Sequence, residues 1–247
     1  MKLALECPVE LLKDMQPLAD FDWILAHLVL SDGKYAAYYA NSTRFKVLDN
    51  SANELLQPCS LSDIKKAVGI VKPDLIVPPD YLGDSSLTER SLEEAIGMFG
   101  EEKLLPCVQG SELKYVLECA EYIRKLGFDR VAVPYDITCS RGSLLEEMAR
   151  RRQVAAGLLT DGFKDIHLLG MTTLKELESY KSMPQVVSID TGSPILHGLL
   201  GLKFGLDGLL PKATSTMSWM GLLKKGITEA LGSVFYNISY LRRIINE

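Results

Sequence analysis

The sequence has no CxxC pair and no Cys/His cluster with zinc-ligand spacing; its five cysteines, Cys7, Cys59, Cys107, Cys119 and Cys139, are scattered. No metal or other cofactor is therefore expected. The opening MKLALECPVELL is short and interrupted by Glu6, so it does not read as a signal peptide. An odd number of thiols without a leader fits a reducing cytosol. No run of 18 apolar residues is present, and neither a membrane span nor a membrane partner is expected. No GxGxxG or GxxxxGK[ST] fingerprint follows any apolar run. Positive charge is not in excess: 27 Lys+Arg stand against 32 Asp+Glu, a net charge of -5. That excludes a generally basic coat for nucleic acid, though not a local basic stripe. No repeat, low-complexity segment or linker divides the chain, so one domain over residues 1–247 is expected.

What is present is a series of short apolar runs closed by turn residues. They are Phe21 to Leu30, Arg44 to Leu48, Leu75 to Val77, Leu104 to Val108, Arg130 to Val133, Ile166 to Leu169, Val186 to Ile189 and a weaker Gly208 to Leu210. Helical patterns lie between them: Ser62 to Gly69, Ser86 to Phe99, Ser111 to Leu126, Ser143 to Gly157, Thr173 to Tyr180 and finally Met220 to Ile245. The clearest carries Leu113, Val116, Leu117, Ala120, Ile123 and Leu126 on one stripe, with Gly127 as its stop. Eight runs alternating with helices predict an α/β fold of parallel βαβ units, most economically a single (β/α)8 TIM barrel. A doubly wound open sheet is the alternative, weakened by the missing phosphate fingerprint.

In such a barrel the chemistry sits at the C-terminal ends of the strands. Those ends are unusually polar here: Asp49 and Asn50, Asp80, Gln109, Asp136, then Asp190 with Thr191. Asp and Asn also make ordinary turns and caps, which is the plain reading of any one of them. The stretch VVSIDTGSP is the most pointed: a β-branched run delivers Asp190 to the lip of a strand, and Gly192 and Pro194 then turn the chain. A carboxylate there is costly unless paired or used, and we read Asp190 as a nucleophile. Two carboxylates about a sugar carbon support displacement with acid/base help. A further carboxylate and a carboxamide suit a purine edge. The set narrows the class to cleavage of a bond between ribose and base without naming the enzyme.

The ordered series LDNSANE (48–54), VPPDYLGD (77–84), VQG (108–110), IHLLG (166–170) and SIDTGSP (188–194) resembles the tRNA-guanine transglycosylase (queuine/archaeosine tRNA-ribosyltransferase) superfamily. The resemblance runs from about Trp23 to Pro194 and implies a (β/α)8 barrel. It implies that Asp190 attacks the sugar C1′ and forms a covalent glycosyl-enzyme. Asp49 takes the place of the second catalytic aspartate, as general acid/base or as a group that orients the base. Asp80, Gln109 and the backbone of Gly110 would read the guanine or deazaguanine edge, with Asn50 and Thr191 beside them. LDNSANE departs from the Asp-Ser-Gly-Gly-Phe-Gln of the tRNA enzymes, and no cysteine follows Cys139 to build their zinc subdomain. The pattern looks closer to the compact phage and bacterial relatives that insert 7-deazaguanines into DNA. The resemblance therefore implies DNA as the polymer, tRNA as the alternative, a preQ0-like base as the incoming group, and a cytoplasmic setting, the host's for a phage protein. A homodimer is compatible with the sequence.

Other residues carry weaker signals. His197 follows the nucleophile loop, within reach of a substrate phosphate. His27 and His167 have a core or supporting role as their plainer reading. Tyr81 offers a ring for stacking, and Cys139 has no activating partner in sequence. Arg150, Arg151 and Arg152 form the densest basic cluster, a solvated face by default and a phosphate grip by function. Lys212 is a second phosphate candidate, near the end of the last two strands. Two other classes stay open: a small-molecule barrel lyase or aldolase, which ordinarily uses a Schiff-base lysine or a metal, and a binding barrel without chemistry.

Overall fold

The computed structural model describes residues 1–135, 144–170, 173–205 and 227–246. Within these lie strands β1 Lys2–Leu5, β2 Asp22–Leu25, β3 Lys46–Asp49, β4 Leu75–Ile76, β5 Arg130–Val133, β6 Asp165–Leu168 and β7 Val186–Thr191. All their pairings are parallel. They form a four-stranded sheet, β1-β7-β6-β5, and a three-stranded sheet, β2-β3-β4. Single parallel bridges join the two sheets: Ala4 to Phe21, Ile76 to Leu104, and Cys107 to Ala132. Segment 104–107 thus stands between β4 and β5 as the eighth stave. Neighbours run β1, β2, β3, β4, 104–107, β5, β6, β7 and back to β1. This is a (β/α)8 barrel, held at three seams by isolated bridges rather than by continuous ladders.

Among the described residues the origin of the barrel differs from the sequence reading. The barrel begins at β1, which has only four residues and too few alternations to announce itself. Phe21 to Leu30 divides: Asp22–Leu25 is strand and Ala26–Ser31 is helix. The run Gly208 to Leu210 lies outside the described residues.

Helices flank the strands at Gly33–Ala40, Leu61–Val71, Ser85–Phe99, Leu113–Lys125, Leu144–Thr160, Leu174–Ser179, Ser193–Leu199 and Ile227–Asn246. Side-chain caps start several of them: Asp32 accepts from Lys34 N and Tyr35 N, Ser60 from Asp63 N, Asp84 from Leu87 N and Thr173 from Glu176 N. Each satisfies N–H groups that the first helical turn leaves orphaned. Among the described residues no helix is long and apolar enough to cross a membrane.

Alternation along the strands divides the core into two layers. Leu3, Leu5, Ile24, Leu48, Val131, Val133, Ile166, Leu168 and Ile189 face outward, against the helices. Ala4, Trp23, Val47, Cys107 and Ala132 fill the barrel interior. Two residues beyond Ala4, Val47 and Cys107 the same inward face carries Glu6, Asp49 and Gln109. The period of the strand therefore sets an acidic, amide-bearing layer directly above an apolar plug.

The final helix seats on Ser193–Leu199 through Gly198, where an added Cβ would lie 2.5 Å from Val234 Cα. Asn237 locks the contact, accepting from Phe204 N at 2.7 Å and donating to Leu202 O at 2.9 Å. Because the obstacle is backbone, Gly198→Ala must push the two helices apart. It should cost about 1–3 kcal/mol, as overpacking does, and lower the thermal midpoint measured by circular dichroism. An unchanged midpoint would show that the helices separate freely.

Candidate active site

Asp190 ends β7 and is buried, with 2% of its surface exposed. Its Oδ1 accepts from the Gly170 N–H at 3.2 Å and lies 2.9 Å from His167 Nε2. His167 Nδ1 lies in turn 2.8 Å from Ser188 Oγ. An ionised carboxylate only accepts, so with Asp190 ionised Nε2 carries the ring proton. His167 Nδ1 and the Ser188 hydroxyl complete the second hydrogen bond of the ring. Trp23 stacks on the imidazole, ring centroids 4.5 Å apart and planes 13° from parallel. The ring is thus fixed in plane by the indole and in rotation by two hydrogen bonds.

Two local departures from regular backbone make this possible. A bulge between β6 and β7 pairs Ile166 with Val186 but His167 with Ser188. The extra residue switches the face of β7, so Val186 and Ile189 both pack outward while Ser188 lies beside the imidazole. Gly170 has φ +65°, the left-handed region that favours glycine, and this turn brings its N–H to Asp190. Arg151 holds the turn from behind. Its guanidinium donates to Val133 O, Leu169 O and Gly170 O at 2.8–3.0 Å and pairs with Glu176 at 3.0 Å.

The loops after β3 and β4 meet segment 104–107 in a second network. Asn50 Nδ2 donates to Pro78 O at 2.7 Å and to Asp80 Oδ1, while Asn50 Oδ1 accepts from Ala52 N at 2.8 Å. Gln109 Nε2 donates to Asp80 Oδ2, and Gln109 Oε1 accepts from Gly83 N at 3.1 Å. All three side chains are buried. The expected base-reading set is therefore assembled, but its polar edges are turned on one another. A purine edge engages them only by replacing one of these bonds. Gly110 lies buried against the first turn of Leu113–Lys125. Asp49 accepts from Ser51 N at 2.7 Å, and Ser51 takes a left-handed φ of 65° to make that bond.

Asp190 does not stand alone as a carboxylate. Burial raises Glu6 well above the ordinary range, and Asp190, Glu54 and Asp49 add repulsion. Burial likewise raises Asp49 well above its usual value, reinforced by Glu54 and opposed by the Ser51 N–H. Glu54 is raised by desolvation and by the charges of Asp190 and Asp80, against a hydrogen bond from Asn53. Glu6 and Glu54 were not singled out from the sequence. Glu6 was legible in principle: once KLAL is a strand, its alternation carries Glu6 to the inward face. Among the described residues no three of His, Cys, Asp and Glu are grouped as metal ligands.

Several sequence expectations are corrected here. Arg151 is no phosphate grip: it is 1% exposed and committed to strand ends and Glu176. The helix that carries the arginine run turns Arg151 inward and leaves Arg152 exposed, with Arg150 half-buried. His197 is buried, with 4% of its surface exposed. Its Nδ1 lies 2.8 Å from Ser193 O and its ring meets Phe204 edge-on. Thr191 Oγ1 accepts from Ser193 N at 3.0 Å, a turn-forming bond that leaves the buried hydroxyl inside the chain. Lys212, Asp136 and Cys139 lie outside the described residues.

Two outcomes follow. Arg151→Ala strands the Glu176 carboxylate in the core and should cost about 3–5 kcal/mol, read by chemical denaturation; a loss below 1 kcal/mol would mean that the pair is not the clamp described. Asp49→Asn keeps an acceptor for Ser51 N–H and removes a crowded charge. Because the folded-state value of Asp49 is raised, its destabilising effect is absent below the ordinary value of 3.8 and grows as pH rises above it. The variant should match the parent at the acid end and gain about 2–4 °C in thermal midpoint near neutrality, corresponding to roughly 1 kcal/mol. A gain that does not change with pH would contradict the crowding.

No protein-family model and no curated protein matches this chain. Solved structures similar to it include triosephosphate isomerase from Bartonella henselae, with 12% identity, a TM-score of 0.44 and coverage of 79% of this chain and 92% of that one. Orotidine 5′-phosphate decarboxylase from Thermotoga maritima shows 15% identity and a TM-score of 0.35, covering 77% of this chain and 88% of that one.

Proposed function

We propose that this protein is a nucleic-acid guanine transglycosylase that replaces guanine in DNA with a 7-deazaguanine base through a covalent aspartyl intermediate. The observation that carries the reading is the orientation of Asp190. One of its oxygens is anchored by His167 and Gly170 N–H, which leaves the other for a sugar carbon. A nucleophile held this way has little orientation left to lose in the transition state.

The supporting geometry is the neighbouring Asn50–Asp80–Gln109 network, whose donors and acceptors suit the ring N–H, amino group and carbonyl of a purine. In the first half-reaction Asp190 attacks C1′, the C1′–N9 bond breaks, and its electron pair leaves with the base. In the second, N9 of the incoming base attacks C1′ and frees the carboxylate. Asp49 orients the base from the end of β3. A base in duplex DNA would first have to leave the stack. The choice of DNA over tRNA rests on the sequence, which lacks the cysteines of the tRNA enzymes' zinc subdomain.

The test is incorporation of radiolabelled guanine, and then of 7-deazaguanine bases, into duplex DNA, single-stranded DNA and tRNA. Label should enter DNA and be lost by at least three orders of magnitude in Asp190→Ala, as for removal of a catalytic nucleophile. Label in tRNA alone would keep the chemistry and overturn the polymer. No label in any polymer with any of these bases would overturn base exchange.

A further inference from the structure

We propose that Glu6, on the strand that closes the barrel, is the catalytic acid and base of this reaction: its carboxyl hands a proton to the departing base and recovers one from the incoming base. The inference rests on the transglycosylase reading and adds a residue to it.

The placement comes from register. β1 pairs with β7 so that Ala4 stands opposite Asp190 and Leu5 opposite Thr191. The ladder continues one step, with Glu6 N donating to Thr191 O at 3.1 Å. Ala4 lies in the interior cluster, and the period of two turns Glu6 to the same side. The Glu6 carboxyl then shares the mouth with Asp190, Glu54 and Asp49, and burial and their charges raise it. Carboxyls crowded into one buried site do not all ionise, so one of a neighbouring pair holds a proton. Asp190 is the better anion, because two N–H donors already point at its Oδ1. The proton therefore resides on Glu6.

The neighbours support this division. Asp49 receives the Ser51 N–H and Glu54 an amide N–H from Asn53, both of which favour the ionised form. The influences on Glu6, namely burial and the charges of Asp190, Glu54 and Asp49, all favour the protonated form. Tyr35 lies in the same buried region, its hydroxyl oxygen accepting from Leu25 N at 3.0 Å and its own ionisation suppressed chiefly by burial. Glu6 is thus a carboxylic acid kept neutral beside an anion, the arrangement in which two carboxyls divide acid and nucleophile roles.

The steps balance. As an oxygen of Asp190 bonds to C1′ and the C1′–N9 bond breaks, the electron pair passes to guanine and Glu6 transfers its proton to a ring nitrogen of that base. Glu6 is then a carboxylate beside an ester, no longer beside an anion. It removes the N9 proton of the incoming base as N9 bonds to C1′ and the Asp190–C1′ bond breaks. The original protonation state returns with the product.

The experiment compares Glu6→Gln with the parent on two DNA substrates. One carries guanine at the target position. The other carries N7-methylguanine, which departs as a neutral molecule and needs no proton. Release of base is measured in single turnover. Loss of a general acid should slow guanine release by about 10²–10⁴-fold and N7-methylguanine release by less than tenfold. Equal slowing on both substrates would make Glu6 structural and overturn the proposal. A second readout is independent of activity: ¹³C carboxyl titration of the full chain, with Glu6 assigned by its loss in Glu6→Gln. Glu6 should titrate above the ordinary glutamate value of 4.5 and move down in Asp190→Asn, where the neighbouring charge is gone. An ordinary value that ignores Asp190→Asn overturns the shared proton, even in a protein that exchanges base. A parent protein that releases neither base would instead remove the transglycosylase reading, and the catalytic role of Glu6 with it.

Discussion

The pairing of the first strand with the last described one is the constraint on which this molecule depends. Four residues, Lys2–Leu5, stand between β7 and β2, and without them the ring has an open edge. Unpaired strand edges in a parallel sheet leave backbone groups unsatisfied next to an apolar interior. The same four residues set the register of the mouth. Because Ala4 lies opposite Asp190, the next inward side chain, Glu6, arrives beside it. Closing the barrel and completing the acidic layer are one event.

That layer opposes stability. Glu6 and Asp49 are pushed upward by burial first and then by neighbouring carboxylates, Glu54 and Asp190 among them, so ionising this layer works against the fold. The repulsion is tolerated because the strands beneath are held by other means. Trp23 and His167 stack in the interior, and the outward faces bury a continuous apolar layer against the helices. Arg151 ties the ends of β5 and β6 together through three carbonyls. A buried ion pair such as Arg151–Glu176 adds little net stability, but breaking one leaves a bare charge. Its effect here is geometric: it fixes the turn whose Gly170 N–H meets Asp190.

Much of the fold was written in local pattern. Runs such as Arg130 to Val133 and Ile166 to Leu169 became strands at nearly their expected limits, and the stripe from Leu113 to Ile123 became the helix Leu113–Lys125. The polar strand ends Asp49, Asp80, Gln109 and Asp190 were also legible, since Gly, Pro and Asp after an apolar run mark where a strand stops. Their convergence depended only on the parallel barrel. The partnerships were not legible. Arg150, Arg151 and Arg152 look equivalent in sequence, yet one helical rotation buries the middle guanidinium and leaves its neighbours toward solvent.

By itself, then, the sequence determined most of the element types between Arg44 and Thr191, their order and the polar residues that end those strands, because these follow from periods of two and 3.6 and from turn chemistry within a few residues. Only the tertiary structure decided which strand closes the ring, which arginine is buried, and that His167, Ser188 and Glu6 gather about Asp190. The physical reason is that these depend on register between segments far apart in sequence. A bulge in β7 changes which face Ser188 takes, and the pairing of residue 4 with residue 190 is decided by barrel closure, which no local pattern encodes.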